Sequence, residues 1–239
     1  MRKRRQYSGF SLTEVLLAVG TLAIGMVFIS GTFLTGIHFS TIATERSIAA
    51  VVADEAFAKV RLHGIGLTNT NLAVNQQTPF ESLNLIAGAE FAYPSTRTST
   101  QKHYYWSALC RPVYSDADNR LVQVTVFVCR KVGSTTTYPP DGTARPVPAQ
   151  VGVTGAVGDM VLAVTGDMTF INDGYTIVEN GTGQIYRVVE RGADPARPEQ
   201  ITLAREKLWQ GGDSVWVIPP PIGGGRKPCI AVYQKLIRF

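Results

Sequence analysis

Few residues of this chain have the types and spacings that are typical of catalytic, redox or metal-binding sites. The three histidines, at positions 38, 63 and 103, are too scattered to indicate a metal cluster. No pair of cysteines has the CxxC or CxxH spacing of a zinc or redox site. The sequence also contains no HExxH, GxSxG or dinucleotide-binding fingerprint. It therefore predicts neither an enzyme nor a bound cofactor.

The three cysteines are too few for a disulfide scaffold, but one pair could be linked in an oxidising compartment. Cys110 and Cys129 lie in two predicted strands of one hairpin and are the leading pair. A turn centred near residue 118 would place Cys110 opposite Val126, so the pair needs a bulge or a longer turn. Cys229 is the competing partner.

The most informative carboxylate is Glu14, which lies in an apolar segment behind a basic N-terminus. Residues 15–44 contain no Asp, Glu, Lys or Arg, and Arg2–Arg5 precede them. A helix of about 20 apolar residues crosses a bilayer, so residues 10–37 are predicted to span one. The positive-inside rule places the N-terminus in the cytoplasm and the residues after 45 on the other side.

The same helix is predicted to continue to His63. Apolar residues recur at three- and four-residue steps, and Gly64 is a stop signal. The apolar positions beyond the membrane segment are Ile42, Ala49, Val52, Ala53, Ala56, Phe57 and Val60. Residues 10–63 therefore form one helix, the second half of which packs against a folded domain.

The segment Gly9-Phe10-Ser11-Leu12-Thr13-Glu14-Val15-Leu16-Leu17-Ala18 resembles the processing and methylation motif of type IV prepilins and type II secretion pseudopilins. The resemblance covers residues 1 to about 63. It implies that residues 1–9 are a cytoplasmic leader, which a membrane aspartic peptidase removes between Gly9 and Phe10. The same prepilin peptidase would methylate the new N-terminus at Phe10. Glu14, the fifth mature residue, matches the family's nearly invariant glutamate.

The chemistry of Glu14 agrees with this resemblance. Phe10 and Glu14 are an i,i+4 pair and share a helix face. The amine released at Phe10 has an ordinary pKa of about 7.7–8.0, so a nearby carboxylate could neutralise it inside the bilayer. We therefore expect Glu14 to set the axial register of subunits during filament assembly.

Some members of the family bind calcium, which draws attention to Asp116 and Asp118. Calcium takes about 6–8 oxygen ligands, and these aspartates with Asn119 supply too few. A solvated turn is favoured, and the two aspartates are weak calcium candidates only.

Composition does not support a nucleic-acid-binding surface. The chain has 239 residues, 45% of them apolar and 17% charged, which is typical of a folded protein. The net charge of +5 falls to +1 without the first nine residues, because four of the basic residues lie there.

The predicted fold class is α+β: a long N-terminal helix packed on an antiparallel sheet, followed by a small all-β domain. Residues 64–138 contain the hairpin of the sheet, and the Pro/Gly-rich residues 139–158 form a linker. Five short alternating runs in residues 159–218 indicate a small barrel or sandwich, with Trp209 and Trp216 in its core. Residues 219–239 are a second linker and a C-terminal strand that could join either sheet.

The resemblance implies a minor pilin-like subunit of a type II secretion pseudopilus or related type IV filament. Its expected location is the inner membrane, with its globular part outside the cytoplasm, and then a filament. Its expected partners are prepilin peptidase, other pilin subunits, the assembly platform and secreted cargo. Two alternatives stay open: a minor type IV pilus subunit for adhesion, motility or DNA uptake, and an unprocessed signal-anchored binding protein.

Overall fold

The structure is a computed structural model that describes residues 11–66, 72–95, 103–114, 121–133 and 135–239. It divides into two compact units, residues 1–45 and 46–239, which are described separately below. The described part contains one long apolar N-terminal helix, an antiparallel sheet and a closed six-stranded barrel. This confirms the α+β class and the long N-terminal helix.

The long helix, α1, runs from Leu12 to His63 and ends where the sequence predicts. Gly64 has a φ of +70°, which favours glycine, and its N–H donates to the Val60 carbonyl at 3.0 Å. In the second unit, α1 buries an apolar stripe at three- and four-residue spacing: Ala49, Val52, Ala53, Ala56, Phe57 and Val60. This stripe is the one that the sequence predicts.

Most strands of the second unit follow the predicted runs. A single turn of helix, α2 (Phe80–Leu83), also lies in this unit. In chain order the strands are β1 (Thr78–Pro79), β2 (Ala92–Tyr93), β3 (Tyr104–Pro112), β4 (Leu121–Arg130), β5 (Ala149–Thr154), β6 (Val161–Val164), β7 (Thr176–Glu179), β8 (Ile185–Arg191), β9 (Gln200–Leu203), β10 (Ser214–Val217) and β11 (Cys229–Arg238).

The sheet has the order β1-β3-β4-β11, with β2 also pairing with β3, and all of its pairs are antiparallel. The predicted hairpin is confirmed as β3 and β4. The C-terminal strand β11 joins this sheet and pairs with β4 along its length. Even-numbered residues of β4, from Val122 to Val128, pack in the core that contains the α1 stripe. Its odd-numbered residues face the barrel, so β4 is buried on both faces.

The barrel closes in the order β10-β5-β6-β9-β8-β7, and β7 pairs back to β10. The five predicted runs correspond to β6–β10. The first strand, β5, lies inside the predicted linker 139–158, which is a correction. Its inward residues Ala149, Val151 and Val153 alternate with outward ones, but the prolines just before them obscure this short pattern.

The barrel is an insertion between β4 and β11, and it packs on the face of the sheet opposite α1. A shared apolar core contains Leu109 and Phe127 from the sheet and Val178, Trp216 and Ile218 from the barrel segment. Trp209 lies in the barrel's own core, so both tryptophans are buried as predicted. Residues 46–239 therefore form one compact unit rather than two domains joined by a free linker.

Candidate functional site

The first unit contains an apolar helix surface that no described residue covers. In the part of the chain that the structure describes, α1 is the one helix long and apolar enough to cross a membrane, and none of its most apolar stretch is buried. Leu22, Phe28 and Leu34 are between 60% and 72% exposed. A surface of this kind requires lipid or another apolar partner.

The hydroxyl groups of this segment bond to their own helix. Ser30 Oγ donates to the Met26 carbonyl and Thr35 Oγ1 to the Gly31 carbonyl, each at 2.9 Å. The hydroxyls of Thr21, Thr32, Thr41 and Thr44 donate to carbonyls three or four residues earlier in the same way. These six hydroxyl groups are thus satisfied without water, which suits a helix surrounded by lipid.

Glu14 lies in the first turn of α1 and is exposed. Its backbone N–H donates to the Ser11 carbonyl at 3.0 Å. A carboxylate at this end of a helix interacts favourably with the helix dipole. Gly9 and Phe10, the predicted cleavage and methylation residues, lie outside the described residues.

The second unit contains a polar junction between sheet and barrel that the sequence analysis missed. Arg111 of β3 donates to the carbonyls of Gly181 at 2.9 Å and Val74 at 3.1 Å, and to Gln123 Oε1 at 3.0 Å. Burial lowers the pKa of Arg111, and the nearby charge of Glu179 opposes that shift. One guanidinium therefore connects the sheet, the β7–β8 turn and the segment before β1.

Glu179 is 2% exposed and organises the turn that Arg111 contacts. Its carboxylate accepts hydrogen bonds from the backbone N–H groups of Gly181 and Thr182 and from the Thr182 hydroxyl. Such a carboxylate fixes the conformation of a turn, because it satisfies several backbone donors at once. Asn180-Gly181 is predicted from sequence as a tight turn, but nothing in its composition indicates that it docks on the sheet.

Further polar contacts complete the sheet–barrel junction. Asn180 Oδ1 accepts from Trp216 Nε1 at 2.8 Å and from the Gln77 backbone N–H at 3.1 Å. Gln234 of β11 donates through Nε2 to the Gly183 carbonyl at 2.7 Å. These groups bind one another, so the arrangement supports a structural role rather than catalysis.

The structure separates the leading cysteine pair. Cys110 lies opposite Val124, five residues before Cys129, and its side chain packs in the α1 core. Cys129 faces the barrel instead, so the expected Cys110–Cys129 pairing does not fit this register. The competing partner Cys229 lies directly opposite Cys129, and all three side chains are buried thiols.

The three thiols have different electrostatic surroundings. Burial raises the pKa of Cys110, and burial together with Cys229 raises the pKa of Cys129. The pKa of Cys229 is lowered by the hydrogen bond from Cys129, and Lys227 lowers it further. The positive charges of Lys227 and Arg130 therefore favour a thiolate at Cys229.

The predicted calcium candidates Asp116 and Asp118 lie outside the described residues. Within the described ranges, no group of three or more His, Cys, Asp or Glu side chains could hold a metal ion. Comparison of the chain with protein-family models, curated proteins and solved structures finds no match.

Proposed function

We propose that this chain is a minor pseudopilin-like subunit of a type II secretion pseudopilus or a related type IV filament. Prepilin peptidase would process it, and it would assemble through α1 to support protein secretion. The observation that carries the proposal is the sequence motif Gly9–Glu14, whose last residue lies in the first turn of a helix with two distinct surfaces. The first part of that helix exposes an apolar surface, and its second part packs on a sheet.

The two parts of α1 support a mechanical role. The first part has the length and self-bonded hydroxyls that suit lipid before assembly and neighbouring helices afterwards. The buried stripe from Ala49 to Val60 fixes the second part to the globular unit. A force on the helix would then be transmitted to that unit, so a growing filament could push or anchor a cargo protein.

The barrel favours a minor rather than a repeating subunit. It adds six strands to a helix-and-sheet unit and makes the subunit larger than packing of α1 alone requires. A subunit at a tip or an adaptor position can carry such an addition without obstructing neighbours on every side. The inner-membrane assembly platform and secreted proteins are the partners that this role requires.

The test is the intact mass of the protein extracted from native membranes that contain active prepilin peptidase. We expect a chain that begins at N-methylated Phe10. Gly9→Leu should retain residues 1–9. The matched control is Gly20→Leu, because Gly20 lies within α1 and has open space around it, so this variant should be processed normally.

Retention of residues 1–9 in the wild-type protein would contradict the proposal. The chain would then be a signal-anchored binding protein, with α1 as its anchor. Processing of Gly9→Leu at the same rate as the wild type would also contradict it, because the cut would then not depend on this motif.

A further inference from the structure

A bulge in β11 brings two cysteines to one face of the sheet. From Ala231 onward, β11 pairs in a regular register, with Ala231 opposite Val128 and Val232 opposite Phe127. If the same register extended to the start of β11, Ile230 would lie opposite Cys129. The register shifts between Cys229 and Ala231, so Cys229 takes this position instead. The extra residue turns the side chain of Cys229 from the α1 face to the barrel face, where Cys129 lies.

The backbone around this pair has the geometry that a cross-strand link needs. The Arg130 N–H donates to the Pro228 carbonyl at 2.9 Å. This bond lies just outside the pair, which makes Cys129 and Cys229 a non-hydrogen-bonded pair of the antiparallel ladder. Such pairs have Cα atoms about 4.5 Å apart, which is within the range that a disulfide spans.

We propose that Cys129 and Cys229 form a disulfide that ties together the two ends of the barrel insertion. The chain leaves the sheet after Arg130 and returns at Cys229, so the link closes residues 130–228 into a loop. Cys110 stays a thiol, because it packs on the α1 face away from both sulfur atoms. The inference rests on the proposed function in one respect, since it requires an oxidising compartment outside the cytoplasm.

The oxidation uses an external disulfide, either of a thiol–disulfide oxidoreductase or of oxidised glutathione. The Cys229 thiolate attacks one sulfur of that disulfide, forms a mixed disulfide and releases the first thiolate, which takes up a proton. The Cys129 thiol then loses its proton, attacks the Cys229 sulfur and releases the second thiolate. Two electrons and two protons pass from the protein to the oxidant, which is reduced to two thiols.

The surroundings of Cys229 favour its role as the attacking sulfur. Lys227 lies two residues earlier, and its ammonium group donates to the Gly174 carbonyl and lies over the ring of Tyr175. Lys227 and Arg130 both stabilise negative charge at Cys229. Because Cys129 and Cys229 are 0% and 5% exposed, the oxidant must act after β11 has paired with β4, which brings Lys227 and Arg130 near Cys229, and before the barrel covers the pair.

The experiment maps disulfides in the full-length protein extracted from native membranes, with free thiols alkylated at lysis. Digestion without reductant should give a peptide that joins Cys129 to Cys229 and a separate alkylated peptide with Cys110. Reduction should lower the unfolding midpoint of the wild type and increase its unfolded fraction on the order of 10²-fold. Cys229→Ser should show no such response to reductant, whereas the control Cys110→Ser should keep it.

Alkylation of both Cys129 and Cys229 in this protein would overturn the inference, as would a link through Cys110. Refolding of the denatured, reduced protein in oxidised glutathione, which gives the oxidant access before the barrel covers the pair, then identifies which assumption failed. Formation of the link in glutathione alone would mean that the globular unit faces a reducing compartment, which contradicts the proposed topology. If no link forms in glutathione, Cys129 and Cys229 do not pair even when an oxidant is present, and the inferred disulfide is wrong. The mapping uses the wild-type chain, so it does not depend on Cys229→Ser folding.

Discussion

At the residue scale, Glu14 is the only charged side chain of α1 before Glu45. A charged carboxylate costs about 2.5–3.5 kcal/mol on insertion scales in the middle of a bilayer and somewhat less near the interface, so a charged partner for Glu14 lowers the cost of burying it. We expect Glu14→Gln to be cut normally between Gly9 and Phe10 but to enter filaments roughly tenfold less often, because the paired charge is lost. Quantitative immunoblotting of sheared filament fractions measures this.

The matched control for Glu14→Gln is Glu206→Gln, which makes the same chemical change on an exposed residue of the second unit. That variant should assemble like the wild type. Normal incorporation of a correctly processed Glu14→Gln would show that the carboxylate does not set the register of assembly.

Arg111 is the residue whose loss should most weaken the sheet–barrel junction. Arg111→Met removes three hydrogen bonds and leaves the Glu179 carboxylate without its cationic neighbour. We expect the free energy of unfolding to fall by about 2–4 kcal/mol, as measured by urea titration of the purified protein. Arg205→Met changes an exposed arginine of the barrel and should cost less than about 0.5 kcal/mol. Equal effects of the two variants would contradict the role given to Arg111.

At the element scale, the buried alanines of α1 allow the helix to lie close to the sheet. Ala53 is 1% exposed in the core with Val124 and Val126, whereas Ala58 lies on the exposed side of the same helix. Ala53→Leu adds three carbons to a filled space and should destabilise the globular unit by about 1–3 kcal/mol. Ala58→Leu should change stability by less than about 0.5 kcal/mol. Thermal unfolding followed by circular dichroism compares the two, and similar midpoints would mean that α1 packs loosely.

Several elements could be predicted from the sequence because the patterns that indicate them lie within short segments of the chain. The α1 stripe, its end at Gly64 and the hairpin of β3 and β4 all follow from periodicity and turn residues. The pairing of Cys129 with Cys229 could not be predicted, since it depends on a bulge at a strand about a hundred residues away. The roles of Arg111 and Glu179 at the sheet–barrel junction could not be predicted either. A single charged residue acquires such a role only when the fold brings it together with its partners.

At the scale of the whole molecule, the sheet and the barrel share a core and should unfold together. Trp106 reports on the sheet and the α1 stripe, and Trp209 reports on the interior of the barrel. Two single-tryptophan variants, each with the other two tryptophans changed to Phe, should have urea midpoints that agree within experimental error. The physical reason is that separation would expose Phe127 and Ile218, which the barrel and sheet bury against each other. An earlier transition at Trp209 would mean that the barrel unfolds independently.

The position of β11 has a consequence for the order in which the chain folds. The six barrel strands all lie within residues 149–217, so every contact between them closes a shorter loop than the pairing of β4 with β11, and β4 must wait for a strand that is synthesised much later. Until β11 arrives, β4 is an unprotected edge with free backbone donors and acceptors, which can pair with other chains. The interval between synthesis of β4 and synthesis of β11 is therefore when the nascent chain is most prone to aggregation, and when binding by a chaperone would be most useful.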